Sequence, residues 1–196
     1  DAFVEWCQGR FQHFEQSLNG ASETAFHSRR KQALERFIEL GVPSTRQEEW
    51  KYTNIAPAFD MDFGDGAYDQ ATVQRLLDEA AFEGLEDRRL VLVNGQYVSE
   101  HSTLAPANEG FRIENLRKAV SDGDQVAEVH LSQQAGFDDQ SFVALNTAFV
   151  DQGTLIHVPA NVQVERPSHL IHITIAEGSA VLVHPRSLLV AERGSE

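Results

Sequence analysis

The stretch that decides the predicted fold lies at the C-terminal end and reads GTLIHVPANVQVERPSHLIHITIAEGSAVLVHPRSLLVAERGSE (residues 153–196). Short apolar runs alternate here with corners of Pro, Gly, Asn and Ser, such as Pro159-Ala160-Asn161 and Glu177-Gly178-Ser179. Runs of this length bounded by turn residues are typical of short β-strands. Such strands suit a sandwich, a barrel or a β-helix, and they leave few residues for the helical crossovers of a doubly wound α/β sheet.

The strand pattern continues up to Glu196 without a change in composition. An open strand edge is a template for further pairing, and solenoids need capping elements at their ends. We therefore expect the sheet to be truncated at its C-terminal end. The chain begins with Asp1 rather than Met, so we also expect that residues are missing before it.

The N-terminal half of the chain predicts α-helices. In the first helix, apolar residues recur every three or four positions and line one face; they are Phe3, Cys7, Phe11, Phe14 and Leu18. Asn19-Gly20 supplies a C-terminal stop for this helix. Further apolar stripes predict a second helix that ends at Gly41, another from about Asp69 to Gly84, and a short one that Ser141 caps.

The middle of the chain predicts a β-hairpin followed by a loop. Leu90–Val93 and Gln96–Val98 flank Asn94-Gly95, a pair that tolerates the positive φ angles of a tight two-residue turn. The following residues 121–140 are acidic and punctuated by glycine, which is typical of a loop. We predict a helical domain over residues 1–85, a connecting segment with the hairpin and the acidic loop over 86–140, and a strand-rich domain over 141–196.

The composition indicates a globular protein with an acidic surface. Hydrophobic residues make up 41% and charged residues 23%, which is ordinary for this class. The 30 acidic and 16 basic side chains give a formal charge of −14. Such a surface repels phosphate backbones and anionic lipids, which argues against nucleic acid and membrane as partners. The apolar runs are too short to cross a bilayer, and no secretory signal opens the chain.

Cys7 is the only cysteine, so no internal disulfide can form. A single thiol fits a reducing, cytoplasmic setting. A thiolate at this position could ligate iron or carry sulfur. Because Cys7 lies on the apolar stripe of the first helix, we favour the interpretation that it packs as a small hydrophobic residue.

The histidines of the strand region do not predict a metal site. His169 and His172 are three residues apart on a predicted strand, so they point to opposite faces and cannot share one ion. We expect one face of this strand to be buried (His169, Ile171, Ile173, Ile175) and the other to be more exposed (Leu170, His172, Thr174). His157, His172 and His184 could align across neighbouring strands, but a solvated imidazole is the better interpretation of each.

No residue pattern indicates an enzyme. Glu48-Glu49 and Asp138-Asp139 are adjacent carboxylates, whereas a general acid/base pair needs opposed groups that flank a substrate. We interpret both pairs as solvated surface. The chain contains no phosphate loop of the GxxxxGK type, no GxSxG elbow and no CxxC pair.

The densest group of features is TRQEEWKYTN (residues 45–54). Ser44 or Thr45 can cap a short helix, and Gln47 or Glu48 is placed to complete a capping box. Two acids in the first turn are favoured by the helix dipole. From the residues alone we expect a helix whose Trp50 and Tyr52 anchor the following loop.

Three segments of the chain resemble the SufB/SufD family of iron–sulfur cluster assembly proteins. The first, with family pattern LG-P…R-EEWKYT, comprises Leu40-Gly41-Val42-Pro43, Arg46, and Glu48, Glu49, Trp50, Lys51, Tyr52 and Thr53. The second, with pattern F-ALN-A, is FVALNTAF (residues 142–149, with Leu145 and Asn146), followed by Gly153 and by Ile156-His157-Val158-Pro159. The third, with pattern HPR-LIV, is His184, Pro185 and Arg186 before an apolar strand.

These three segments follow one another in the family's order across about residues 34–192. The absence of cysteine from the strand region favours the SufD branch of the family over the SufB branch. The resemblance implies an α+β chain in which an N-terminal helical domain precedes the first rungs of a right-handed parallel β-helix, truncated at the C-terminal end. Residues 141–196 would then be the start of the β-helix core.

The resemblance also implies a non-catalytic scaffold subunit that acts with SufB and the ATPase SufC. Such complexes build an iron–sulfur cluster, and a flavin is associated with some of them. The family's SufC-binding helices and the residues proposed to handle the cluster correspond to sequence beyond Glu196. The resemblance therefore assigns no catalytic, metal or cofactor-binding residue here, and it implies that this chain itself binds no cofactor. The matched residues carry over as a signature with a structural role.

Two other functional classes compete with this one. A carbohydrate-active β-helix enzyme would group acidic and basic residues on one face and would carry an export signal, neither of which the sequence shows. A plain β-rich interaction module is the other alternative, and strand order would identify it.

Overall fold

The computed structural model describes residues 2–18, 25–104 and 110–196. The helices in these ranges are α1 Ala2–Ser17, α2 Ala25–Leu40, α3 Gln70–Ala80, α4 Leu116–Ser121, α5 Gln125–His130 and α6 Ser141–Phe149. The strands are β1 Phe63–Gly64, β2 Arg89–Val93, β3 Gln96–Tyr97, β4 Arg112–Asn115, β5 Gly153–Val158, β6 His169–Ile173, β7 Ala180–Val181 and β8 Arg186–Ala191. Short 3₁₀ turns occur at Glu48–Trp50, Ala56–Phe59 and Ser99–His101.

The chain forms two compact units. The helical unit comprises Asp1–Asp62 and Ser132–Val150, and the strand unit comprises Phe63–Leu131 and Asp151–Glu196. Each unit is discontinuous in sequence, because the segment that contains α6 returns to the helices at the N-terminal end. The domain boundaries at residues 85 and 140 stay a prediction.

In the helical unit, α1 and α2 bury the faces that their sequences predict. Phe3, Cys7, Phe11 and Leu18 are buried and Phe14 is half-buried, which confirms the stripe of α1. The predicted stop at Asn19-Gly20 lies outside the described residues. Helix α2 ends at Leu40, where the Gly41 N–H donates to the Phe37 carbonyl (2.8 Å) and Gly41 takes a φ of 66°. The predicted stop at Gly41 is confirmed.

Three arginines of α2 hold the returning segment by donating to its backbone carbonyls. Arg29 donates to Ser132 O (2.6 Å), Arg30 to Val150 O (2.8 Å), and Arg36 to Asp138 O. Arg30 is only 2% exposed, and its guanidinium lies over the rings of Phe26 and Phe14. Around it, the aromatic and small residues of α1, α2 and α6 form one apolar cluster; they include Phe11, Phe14, Ala33, Ala148 and Phe149.

The strand unit contains three separate sheets within the described residues. One is the parallel pair β1–β7, the second has the order β3-β2-β6, and the third has the order β4-β5-β8. Strand β6 runs parallel to β2, and β8 runs parallel to β5, whereas β3 and β4 are antiparallel to their neighbours. Helix α3 packs its Val73 and Leu77 against the buried side of β2 and β6.

The predicted right-handed parallel β-helix, with residues 141–196 as its first rungs, is wrong. None of the three small sheets is closed or curled, so the described residues form only a loose α+β arrangement. Strands β6 and β7 pair with β2 and β1 from much earlier in the chain, rather than with successive coils of a solenoid. The corners in the sequence predict where strands end, but they do not determine which strands pair.

Several local predictions can be compared with the structure. The hairpin is confirmed, since β2 and β3 flank Asn94 (φ 47°) and Gly95 (φ 76°). Residues 121–140 are not entirely loop, because Asp124 accepts from the Val126 and Ala127 N–H groups and so caps the six-residue α5. The run Val162–Val164 does not form a strand. Among the described residues, no helix is long and apolar enough to span a membrane.

Candidate functional site

A cleft of about 180 Å³ lies in the helical unit, between the end of α2 and the start of α6. We call it the Trp50 cleft, and its lining residues are Leu40, Pro43, Gln47, Glu48, Glu49, Trp50, Asp139, Gln140, Ser141, Phe142 and Val143. Residues from two of the family-like segments therefore meet here: Glu48, Glu49 and Trp50 come from the first, and Phe142 and Val143 from the second.

The end of α2 shapes one wall of the cleft. Because Gly41 adopts a positive φ angle, the chain can leave the helix sharply and bring the buried Pro43 beside Leu40. The Ser141 hydroxyl, at the first position of α6, donates to the Gly41 carbonyl. This bond fixes the start of α6 against the end of α2.

A compact turn places the acidic residues on the rim. The Gln47 N–H donates to the Ser44 carbonyl (3.0 Å), and the Gln47 side-chain oxygen accepts from the Ser44 N–H (3.1 Å). The second bond is the glutamine half of the predicted capping box. The other half is missing, because the Ser44 hydroxyl accepts from the Arg46 N–H instead (3.4 Å). The helix that follows is a single 3₁₀ turn, Glu48–Trp50.

Aromatic rings form the apolar wall of the cleft. Trp50 meets Phe142 edge to face, with ring centroids 5.4 Å apart and planes 86° apart. Phe142 stacks on Phe59 (5.7 Å), and Phe59 contacts Phe3 of α1 (4.5 Å). Aromatic contacts of this kind add to the stability gained from burial alone. The wall is therefore continuous with the core of the helical unit.

The rim of the cleft is acidic. Glu48, Glu49 and Asp139 are all solvent-exposed, as the interpretation of the two acidic pairs as solvated surface predicts. Lys51 Nζ lies 3.7 Å from Glu48 Oε1, and the Gln140 amide donates to Glu49 over a long 3.4 Å. The lining residues include these three carboxylates and no Lys, Arg or His. The cleft thus combines an apolar wall with a rim of negative charge.

In the EEWKYT segment, Lys51, Tyr52 and Thr53 lie outside the lining of the cleft, and the two aromatic residues differ in how they pack. Trp50 packs against Phe142, and its carbonyl accepts from the Thr53 N–H (2.9 Å), so Trp50 anchors the loop as expected. Tyr52 does not, because its side chain is 90% exposed and Lys51 Nζ lies 5.6 Å from its ring. In the second segment, Leu145 is buried and Asn146 is half-buried on α6.

The third family-like segment lies in the strand unit, where it meets Gly153. Arg186 begins β8, and its N–H donates to the Gln152 carbonyl (3.2 Å). Gly153 has a φ of 148°, and a Cβ added there would lie 1.8 Å from the Arg186 carbonyl oxygen. Only glycine permits this approach of β5 to β8. His184 and Pro185 are half-buried, and burial lowers the pKa of His184 to about 4.

The cysteine and the strand histidines do not form a reactive group. Cys7 is fully buried, and burial raises the pKa of its thiol to about 12, so no thiolate is available at neutral pH. His157 Nε2 lies 2.8 Å from Glu192 Oε1, and His169 lies against the ring of Phe82. The predicted burial pattern of the strand is confirmed from Ile171 onward, with Ile171 and Ile173 buried and His172 exposed. It is not confirmed for His169 and Leu170, which are both half-buried. No group of three His, Cys, Asp or Glu residues within the described ranges could hold a metal ion.

The size of the Trp50 cleft limits what it can bind. Small-molecule and cofactor pockets usually measure about 300–1,000 Å³. A cleft of about 180 Å³ is too small for a flavin, but its volume suits one large side chain of a protein partner. The residues at hand also do not fit an iron–sulfur cluster, since the thiol of Cys7 is enclosed in the core.

Sequence reasoning did not identify Asp139 and Gln140 as neighbours of Glu48 and Trp50. The two groups are about ninety residues apart in sequence; Gln140 and Glu49, for example, differ by 91 positions. Two features of the sequence point towards this proximity: Asp139 lies close to the predicted cap at Ser141, and the two family-like segments follow each other in the family's order. Neither signal gives a distance between them.

The chain belongs to the SufBD family. The family model described as "SufBD protein N-terminal region" matches residues 7–170, which include the helical unit from Cys7 onward and a large part of the strand unit. This match confirms the resemblance that the EEWKYT and FVALNTAF segments indicate.

Particular relatives carry related names. An iron–sulfur cluster assembly SufBD family protein of Synechocystis is 24% identical over 91% of this chain. The iron–sulfur cluster assembly proteins SufD of Bacillus subtilis and Escherichia coli are 26% and 28% identical over 83% and 85% of this chain. The matches cover 39%, 38% and 36% of these three relatives, so the chain spans well under half of their length.

Proposed function

We propose that this chain is part of a scaffold protein of iron–sulfur cluster assembly, of the SufD branch, which acts with SufB and the ATPase SufC. The observation that carries the proposal is the match of the SufBD N-terminal region to residues 7–170. Two of the relatives that extend over more than four fifths of this chain are named SufD. The lack of cysteine in the strand region supports the same branch.

In this proposal the chain contributes surfaces rather than chemistry. Its only thiol is buried, and the Trp50 cleft has the size of a protein side chain. The iron–sulfur cluster is then the cargo of the whole complex, and any flavin is held elsewhere in that complex. The proposed place of action is the cytoplasm, where a single unpaired thiol stays reduced.

Deletion of the gene in a host that depends on this pathway alone tests the proposal. The activity of an iron–sulfur enzyme such as aconitase should fall, while the activity of an enzyme without a cluster, such as malate dehydrogenase, should not change. The full-length gene should restore aconitase. Normal aconitase activity in the deletion strain would refute the assembly role.

Two further measurements address the finer parts of the proposal. Affinity purification of the tagged full-length protein should recover SufB and SufC in stable proportion, and their absence would refute the partnership. Incubation of the purified protein with acidic polysaccharides should release no reducing ends. Release of sugar ends would favour the carbohydrate-active alternative, which no feature of the Trp50 cleft supports.

A further inference from the structure

We propose that the Trp50 cleft binds an arginine side chain presented by a basic segment of a partner protein. This inference concerns the ligand of a particular surface, and it does not depend on the role of the chain in cluster assembly. Three properties of the cleft carry it: its volume, its aromatic wall and the sign of charge on its rim.

The volume and the wall favour a single amphipathic side chain. Protein interfaces concentrate their binding energy in a few anchor residues that fill such pockets, and arginine is enriched among them. The apolar part of the cleft, formed by Leu40, Pro43 and Val143, can cover the methylene stem of an arginine. Trp50, which is half-buried in the wall, is the aromatic residue that attracts a cation most strongly.

The rim selects a cation over a neutral or an acidic side chain. Glu48, Glu49 and Asp139 surround the opening, and no basic residue belongs to the lining. Lys51 lies near Glu48 but at 3.7 Å, and the Glu48 side chain is 87% exposed, so the carboxylate stays accessible to a second cation. Arginine suits this site better than lysine, because a planar and weakly hydrated guanidinium can pair with a carboxylate and stack on a ring at the same time.

Fluorescence of Trp50 provides the test. The chain contains two tryptophans, Trp6 and Trp50, so the substitution Trp6→Phe leaves Trp50 as the only tryptophan reporter. The probes are three blocked peptides, acetyl-Gly-Leu-X-Leu-Gly-amide, in which X is arginine, lysine or citrulline. Citrulline has the shape of arginine without its charge. We expect saturable binding of the arginine peptide and about tenfold weaker binding of the citrulline peptide.

Variants locate the site. Glu48→Gln/Glu49→Gln should weaken binding of the arginine peptide about fivefold, and Asp139→Asn about twofold. The matched control is Glu79→Gln/Glu83→Gln, which removes the same charge from exposed positions on the last turn of α3 and just beyond it. The control should leave the affinity unchanged. Circular dichroism verifies folding, and the single substitution Asp139→Asn provides the comparison if the double variant unfolds.

Three results would overturn the proposal: no saturable change with the arginine peptide, equal binding of the citrulline peptide, or equal weakening by the control pair. Equal weakening would mean that the net charge of −14 attracts the peptide without a specific site. A fourth result that would overturn the proposal is self-association of the chain, if Glu48→Gln/Glu49→Gln abolishes it. In that case the occupant of the cleft would be a second copy of this chain. Aconitase loss in the deletion strain together with any of these results would leave the assembly role standing and reject only the arginine site.

Discussion

The helical unit and the strand unit depend on different kinds of contact. In the helical unit, side chains join distant parts of the sequence: Arg29, Arg30 and Arg36 reach carbonyls that lie 102 to 120 positions away. In the strand unit, backbone ladders also join the distant parts, such as β2 with β6 and β5 with β8, and side chains such as that of Asn94 add to them. Gly153 at the start of β5 and Asn94 just after β2 adopt positive φ angles.

This difference predicts which substitutions each unit tolerates. In the strand unit, the substitutions that lower stability most should be those in which an added Cβ or a changed φ preference separates two strands. The helical unit should be most sensitive where a buried donor is removed from a carbonyl. Because a chain with two compact units can depart from two-state unfolding, urea unfolding should be combined with amide hydrogen exchange, which shows the unit affected.

The largest effect is expected for Gly153→Ala in the strand unit. The new Cβ would lie 1.8 Å from the Arg186 carbonyl oxygen, so β5 and β8 must separate. We expect a loss of more than about 3 kcal/mol in the free energy of unfolding, with faster exchange of the β5 and β8 amides. The control is Gly178→Ala, because Gly178 also has a positive φ (83°) but nothing within 4 Å of its Cβ position. Similar losses in both variants would show that backbone strain, and not the strand approach, limits this position.

In the helical unit, Arg30→Ala should lower the free energy of unfolding by about 3 kcal/mol. The substitution removes a charged donor and leaves the Val150 carbonyl without that hydrogen bond. The exchange of amides in α6 should increase. Arg36→Ala is the matched control, because Arg36 lies on the same helix and also donates to a carbonyl of the returning segment, but from an exposed position. Its cost should be below about 1 kcal/mol. An equal cost for the two variants would contradict the importance of burial.

Asn94→Ala tests the hairpin of the strand unit. Asn94 combines a positive φ with a side chain that donates to Gly66 O and Ile175 O and accepts from the Ile175 N–H (2.8 Å). We expect a loss of about 2 kcal/mol, measured by urea unfolding. Asn161→Ala is the control, since Asn161 shares the positive φ (61°) but is exposed, and it should cost about 1 kcal/mol. If the two losses are equal, the side-chain bonds of Asn94 contribute nothing beyond its turn conformation.

The same difference explains how far the sequence predicts the fold. Local patterns predicted α1, α2, α3 and α6, because a helix closes its hydrogen bonds within a few residues. The Asn94-Gly95 turn was equally predictable, because Asn and Gly both tolerate the positive φ angles of a two-residue turn. The pairing of β6 with β2 was not, because it joins segments 80 residues apart and neither segment specifies its partner. The likeness to a family suggested a β-helix, and the observed pairings overturn it.

For the Trp50 cleft, the sequence predicted the components but not their assembly. The resemblance of the EEWKYT segment marked Glu48, Glu49 and Trp50, and that of the FVALNTAF segment marked Phe142. Their meeting depends on the Ser141–Gly41 hydrogen bond and on the arginines of α2, which are contacts between distant segments. The exposure of Tyr52 was also beyond prediction, since a large aromatic residue beside Trp50 is usually expected to pack.

The smallest effect is expected for the stability of the strand unit at acidic pH. The Arg112 guanidinium, 2.6 Å from Asp124, and the two N–H groups that Asp124 caps hold the pKa of Asp124 below its usual 3.8. Since the pKa is lower in the folded chain than in the unfolded one, this stabilisation is complete above about pH 3.8 and is lost as the pH falls through the folded value. A partly exposed ion pair contributes about 0–1 kcal/mol, so we expect lower protection factors for exchange of the α5 and β4 amides below pH 4 rather than global unfolding.

Asp124→Asn identifies the source of that acid sensitivity. Asparagine caps a helix about as well as aspartate, so the variant removes the charge and keeps the cap. The protection factors of the α5 amides should then be lower than in the unaltered chain at neutral pH and should change less between pH 5 and pH 3. If the pH dependence in α5 is unchanged, the sensitivity must come from another carboxylate of the strand unit. Asp87 is the alternative, because Arg166 also lowers its pKa, and Asp87→Asn would then flatten the profile instead.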